Sequence, residues 1–144
     1  MKKILVAVDF SDLATLVLNQ ASIQARAFES EILILHVEAP VPSFIGNEIG
    51  PPVISEHMTE EIERIKSDLD AMVRFFTDQG INSSYEFDQG PVIDTIVEKA
   101  NEFGAEMIIM GAHNHGFLYR AFIGSTSSGV IKASSCPVLI IPEK

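Results

Sequence analysis

The sequence has one cysteine, Cys136, and no tryptophan. A lone cysteine closes no disulfide within the chain and builds no thiolate metal cluster, which excludes stapled extracellular scaffolds and zinc ribbons. Basic residues are scarce, ten Lys and Arg against twenty Asp and Glu, for a formal charge of -10. A chain of that sign repels a polyanion, so nucleic acid is not an expected partner. No apolar stretch approaches the roughly 20 residues a membrane helix needs. The first apolar run, Ile4 to Val8, stops at Asp9 and is too short for a secretion signal. The expectation is a cytoplasmic protein without membrane insertion. There is no Gly-Lys-Ser or Gly-Lys-Thr phosphate loop and no G-x-G-x-x-G fingerprint. Nor are there paired loop carboxylates, a Ser-His-Asp arrangement on a nucleophile elbow, or a lysine beside a phosphate loop. No catalytic residue is therefore assigned, and any hydrolysis is expected to be slow. His113 and His115 have a chelating spacing but no evident third ligand, so no metal site is assigned.

What is present reads as one domain, residues 1–144, with 47% hydrophobic and 21% charged residues. Ile4 to Val8, Glu31 to Val37, Met107 to Met110 and Pro137 to Pro142 are short, nearly continuous apolar runs, the signature of strands covered on both faces. Ser83 to Asp88 alternates instead, as a half-buried edge strand does. Between them lie stretches of helical period. These are Asp12 to Phe28, with Asp9 or Ser11 placed to cap it, Met58 to Phe76, an amphipathic helix after Gly90-Pro91, and a short helix near Ser127 to Ser135. Ala39 to Ile54 carries four of the seven prolines and reads as a long surface loop with the makings of a lid. The order βαβαβαβαβ predicts an α/β fold, an open twisted parallel five-stranded sheet with helices on both faces and a ligand crevice beyond the carboxyl ends of the strands.

Two segments flank that crevice, Gly111-Ala112-His113-Asn114-His115-Gly116 after the fourth strand and Gly124-Ser125-Thr126-Ser127-Ser128 before the last helix. Glycines leave room for phosphate oxygens against backbone N–H groups, and hydroxyls serve the remaining lone pairs. The same residues also suit a plain role, with Ser125 or Thr126 capping the helix and Gly111 turning the chain. His36, inside a strand, reads as a satisfied core residue, and His57 as exposed. Arg120 either reaches a phosphate or balances acidic surface.

Gly111-x-x-Asn114, nine residues and Gly124-Ser125, with Val8-Asp9 near the start and Ser135-Cys136-Pro137-Val138-Leu139-Ile140 near the end, resemble the ATP-binding type of the universal stress protein family. The resemblance spans essentially the whole chain. It implies an adenine nucleotide alpha hydrolase-like fold with strand order 3-2-1-4-5 and an ATP site, with Mg2+ accompanying the nucleotide. Ala7 joins Asp9 and Val37, which would hold ribose and adenine. Met110, Gly111, His113 and Asn114 would flank the ribose and phosphates, and Gly124, Ser125, Thr126 and Ser127 would grip the phosphates. It also implies a homodimer paired through the strand Val138 to Ile141. One position departs from the family motif, since Asn114 stands where its second glycine falls. Asparagine tolerates a left-handed backbone, but its side chain occupies space near the phosphates. The competing readings are a nucleotide-sensing module of the stress response, a partner-binding module of the same fold without nucleotide, and a small hydrolase or transferase.

Overall fold

The computed structural model describes residues 1–40, 56–112 and 124–143, at 56 and 57 the backbone alone. Along the chain run β1 (Lys3–Ala7), α1 (Ala14–Phe28), β2 (Glu31–Glu38), α2 (Glu56–Thr77), β3 (Ser83–Gln89), α3 (Val92–Phe103), β4 (Met107–Gly111), α4 (Ser125–Ala133) and β5 (Val138–Ile141). The strands form one sheet in the order β3-β2-β1-β4-β5, and every pairing is parallel. This is the expected fold, α/β with strand order 3-2-1-4-5. The expected loop from Ala39 to Ile54 falls largely outside the described residues.

Successive residues of a strand point to opposite faces, so a strand covered on both sides must be apolar at every position. Ile4, Leu5 and Val6 meet that demand with no exposed surface at all. Ile4, Val6, Ile32, Ile34 and Ile109 face one layer with Val17 and Ala21 of α1 and Ile65, Leu69 and Phe76 of α2. Leu5, Leu33, Leu35, Ile108 and Met110 face the other, with Ile96 and Ala100 of α3 and Val130 of α4. The outer strand β3 keeps an alternating pattern of half-buried and exposed residues over most of its length. Its outward carboxylates are tied to α3 by Lys99, whose Nζ lies 3.1 Å from Glu86, 3.8 Å from Asp88 and 3.3 Å from Glu102. The Glu86 carboxylate first, then Glu102, holds the Lys99 amine above its ordinary range.

Two boundaries differ from the sequence expectation. Helix α1 begins at Ala14 behind Leu13, and no side chain bonds to its first turn. Asp9 and Ser11 do not cap it, because a tight turn intervenes in which the Ala14 N–H donates to the Ser11 carbonyl at 3.0 Å. Helix α4 starts two residues before the expected Ser127 and ends at Ala133. Helix α3 stops where a left-handed residue is required, with Gly104 at φ 73° donating its N–H to the Ala100 and Asn101 carbonyls.

Close approach of α3 and α4 depends on Gly129. A Cβ there would lie 2.3 Å from Ile93 Cδ1 and 3.0 Å from its Cγ1. Ile93 has a flexible tip, so a methyl group is accommodated by its rotation, whereas a longer side chain overpacks the contact. Gly129→Leu is therefore expected to lower the unfolding free energy by about 1–3 kcal/mol, with most of that loss recovered in the double variant with Ile93→Ala. Urea unfolding of the two single variants and the double variant checks it, and strictly additive effects would contradict the assigned contact.

Candidate functional site

The connections from β1 to β2 to β3 run outward in one direction and that from β4 to β5 in the other. The reversal falls between β1 and β4, and helices on opposite faces diverge there, leaving a crevice at the carboxyl ends of those strands. A cavity of about 380 Å³ occupies it, within the usual size of a small-molecule pocket. Of the residues expected at the site, Ala7, Asp9, Val37, Met110, Gly111, Ser125, Thr126 and Ser127 line it. Gly124 sits behind them, buried, as the residue preceding α4. His113 and Asn114 lie outside the described residues, as do His115 and Arg120. Sequence reasoning missed Leu13, just before α1, Val17 of α1, and Val92 and Ile96 of α3, which give the cavity its apolar wall. Their apolar spacing was legible. Their nearness to the carboxyl end of the sheet was the only signal that they also face a crevice.

Asp9 is exposed and opens the turn between β1 and α1. Its Oδ1 accepts the Ser11 N–H at 3.0 Å, and between them Phe10 takes φ 60°. The left-handed region costs a residue with a Cβ roughly 1–2 kcal/mol, so surrounding contacts must hold this turn. His36 supplies two of them. Its Nδ1 lies 2.7 Å from the Val8 carbonyl oxygen, and its ring centroid is 4.4 Å from that of Phe10. As expected, His36 is a satisfied core residue, 5% exposed.

The phosphate-type segment at α4 is arranged differently from a simple cap. Gly124 precedes the helix at φ -58° and ψ 160°, ordinary extended backbone, and no side chain caps the first turn. The Ser128 N–H makes the first intrahelical bond, to the Gly124 carbonyl at 2.9 Å. The N–H groups of Ser125, Thr126 and Ser127 precede it and have no acceptor within the helix. Together with the positive end of the helix dipole they form an anion-directed terminus that faces the cavity. Neither Ser125 nor Thr126 serves as the cap that the alternative reading assigned them. Ser127 is 2% exposed, and its hydroxyl donates to the Gly111 carbonyl at 3.1 Å, tying α4 to the end of β4. Gly111 packs closely as well, since a Cβ there would meet Leu13 Cδ1 at 3.1 Å. Among the described residues no group of three or more His, Cys, Asp and Glu is placed to hold a metal ion, and Asp9 is the one carboxylate on the cavity wall.

A second concavity, about 560 Å³ and more open, lies at the amino ends of the strands between Lys2, Arg26, Glu29, Glu31 and Asn82. Its charges are mixed and α1 ends there, which turns the negative end of a helix dipole toward it. The carboxyl-end crevice is the better candidate on chemical grounds.

A parallel sheet whose order reverses between β1 and β4, with an uncapped helix N-terminus over the crevice, defines a doubly wound α/β protein. The sequence pattern described as the universal stress protein family matches residues 1–142, and the chain belongs to that family. A universal stress protein of Synechocystis sp. is 31% identical over 149 residues, covering 96% of each chain. Another, from Methanocaldococcus jannaschii, is 30% identical over 144 residues, covering 99% of this chain and 82% of its own. Among solved structures, universal stress protein UspA of Lactobacillus plantarum superimposes with a TM-score of 0.78 at 25% identity, covering 97% of each chain. The universal stress protein of Archaeoglobus fulgidus, solved in complex with dAMP, gives 0.71 at 25% identity, covering 98% of each. No helix among the described residues is long and apolar enough to cross a membrane.

The tie between Ser127 and Gly111 has a direct consequence for stability. Ser127→Ala leaves a carbonyl without its donor inside the fold and is expected to lower the unfolding free energy by about 1–2 kcal/mol. An unchanged urea midpoint would contradict it.

Proposed function

We propose that the crevice binds an adenine nucleotide, ATP accompanied by Mg2+, and that the chain acts as a sensing or regulatory module of the stress response. The observation that carries this reading is the open N-terminus of α4, whose first three N–H groups have no acceptor within the helix and belong to residues that line the cavity. The dAMP complex of the similar Archaeoglobus fulgidus protein supports the ligand class. Ala7, Asp9 and Val37 hold ribose and adenine against the apolar wall, and Met110, Gly111, His113 and Asn114 flank the ribose and phosphates. Gly124, Ser125, Thr126 and Ser127 grip the phosphates. Ser127 does so through its N–H, because its hydroxyl is already donated to Gly111. Magnesium would accompany the phosphates, with Asp9 as the carboxylate of the described wall available to it, and hydrolysis is slow at most because no lysine or paired carboxylate joins the described wall.

A single calorimetric titration tests the proposal. The wild type is expected to take up Mg·ATP, and Gly124→Val to lose affinity by tenfold or more. The loss comes from space, since φ -58° at Gly124 admits a side chain without backbone strain. Equal affinity in both proteins would place the ligand elsewhere. The second reading, a family member that binds no nucleotide and serves as a partner-binding module, is favoured by Asn114 in place of the motif glycine. It predicts no heat from the wild type and recovery of binding in Asn114→Gly.

The proposed assembly is a homodimer through β5. Among the described residues this strand pairs only with β4, and all four of its residues are half-buried rather than covered. The Pro137 and Ile141 carbonyls accept from Ile108 and Ala112, so residues 137, 139 and 141 aim their peptide groups at β4. By alternation those of Val138 and Ile140 point outward, free to pair with a second copy, and an apolar edge left bare is an aggregation hazard. Ile140→Pro removes an outward N–H while sparing the ladder to β4. Sedimentation at micromolar concentration is expected to show a dimer for the wild type and a monomer for the variant. A monomeric wild type would overturn the interface, and a dimeric variant would move it off β5.

A further inference from the structure

His36 does more than fill the core. Its ring lies between Phe10, at 4.4 Å, and Phe87, at 6.0 Å and nearly parallel, so it joins the turn after β1 to β2 and β3. Both of its nitrogens face oxygens. Nδ1 is 2.7 Å from the Val8 carbonyl and Nε2 is 2.8 Å from Glu38 Oε1. A carbonyl oxygen accepts and never donates, so the proton at Nδ1 is fixed whatever the state of Nε2. The Glu38 side chain is 42% exposed and can turn to water, whereas the Val8 carbonyl is held in a buried contact. The bond to Val8 is thus the one that must persist, and the one that anchors the Asp9–Phe10–Ser11 turn with Phe10 at φ 60°.

We propose that His36 is the positioning residue of the ligand site, holding the turn that presents Asp9 to the cavity through its Nδ1–H donation to Val8 and its tilted ring contact with Phe10. The proposal rests on the nucleotide reading of that cavity. Asp9 is the carboxylate on its described wall, and the turn that carries it is unfavourable for a non-glycine residue, so its geometry depends on a neighbour that fixes both Val8 and Phe10. Glu38, on the solvent side, faces Nε2 and does not carry the clamp.

Three readouts test it. Nitrogen NMR of the unliganded wild type is expected to show a proton on His36 Nδ1, whatever the state of Nε2; a proton on Nε2 alone would overturn the proposal. His36→Asn places an amide nitrogen where Nδ1 stands and keeps the donor to Val8, while His36→Leu removes it. In the absence of ligand, Ser11 amide exchange is expected to stay near wild type in His36→Asn and to accelerate about tenfold in His36→Leu, the scale of one lost hydrogen bond. Mg·ATP affinity is expected to follow the same order, about tenfold weaker in His36→Leu and rescued in His36→Asn. Exchange that is unchanged in His36→Leu, or affinity that is unchanged while exchange rises, overturns the positioning role. A wild type that binds no adenine nucleotide overturns the proposed function instead, and the tautomer and exchange still decide whether His36 holds the turn.

Discussion

The constraint on which the rest depends is that a parallel sheet must be covered on both faces while its crossovers keep one hand. Here that demand makes β1, β2 and β4 apolar at successive positions and divides Ile4, Val6 and Ile34 from Leu5, Leu33 and Leu35 into two layers. Because the crossovers change direction between β1 and β4, no helix among the described residues covers their carboxyl ends. The crevice is a by-product of satisfying the core. Its polar equipment arrives on the two segments that leave it, the turn at Asp9 and the first turn of α4.

Local electrostatics in the crevice run against the charge of the whole chain. A formal charge of -10 disfavours an anionic ligand at a distance, but exposed charges are screened beyond about 8 Å at physiological salt. At contact range the positive end of α4 and its free N–H groups dominate, with Asp9 as the opposing carboxylate on the described wall. A ligand that brings its own magnesium reduces that opposition. The combination suits an anion delivered with a cation better than a bare one.

Much of the fold was legible because its signals are redundant. Continuous apolar runs marked the inner strands, alternation marked β3, and Gly104 marked the end of α3. The start of α1 was misplaced because Asp9 and Ser11 have the chemistry of caps, and only the backbone shows that the Asp9 carboxylate turns inward to the Ser11 N–H. The residues of the crevice were named from their place after β1, β2 and β4 and from their resemblance to a family motif. Their division of labour was not legible. Ser125, Thr126 and Ser127 look alike in the sequence, yet Ser127 is buried with its hydroxyl on Gly111 while Ser125 is exposed. His36 looked like any core histidine, since its partners Val8 and Phe10 are distant in the chain and offer no pattern to read.

The central claim is that the carboxyl-end crevice, and not the amino-end concavity, receives the ligand. Titrating Mg·ATP into isotopically labelled protein and following backbone amide resonances tests it most directly. The account predicts that the amides of Ala7, Gly111, Ser125, Thr126 and Ser127 shift together along one saturating isotherm, while those of Arg26, Glu31 and Asn82 stay fixed. Saturating shifts confined to Arg26, Glu31 and Asn82, or no shifts at the first turn of α4, would contradict it.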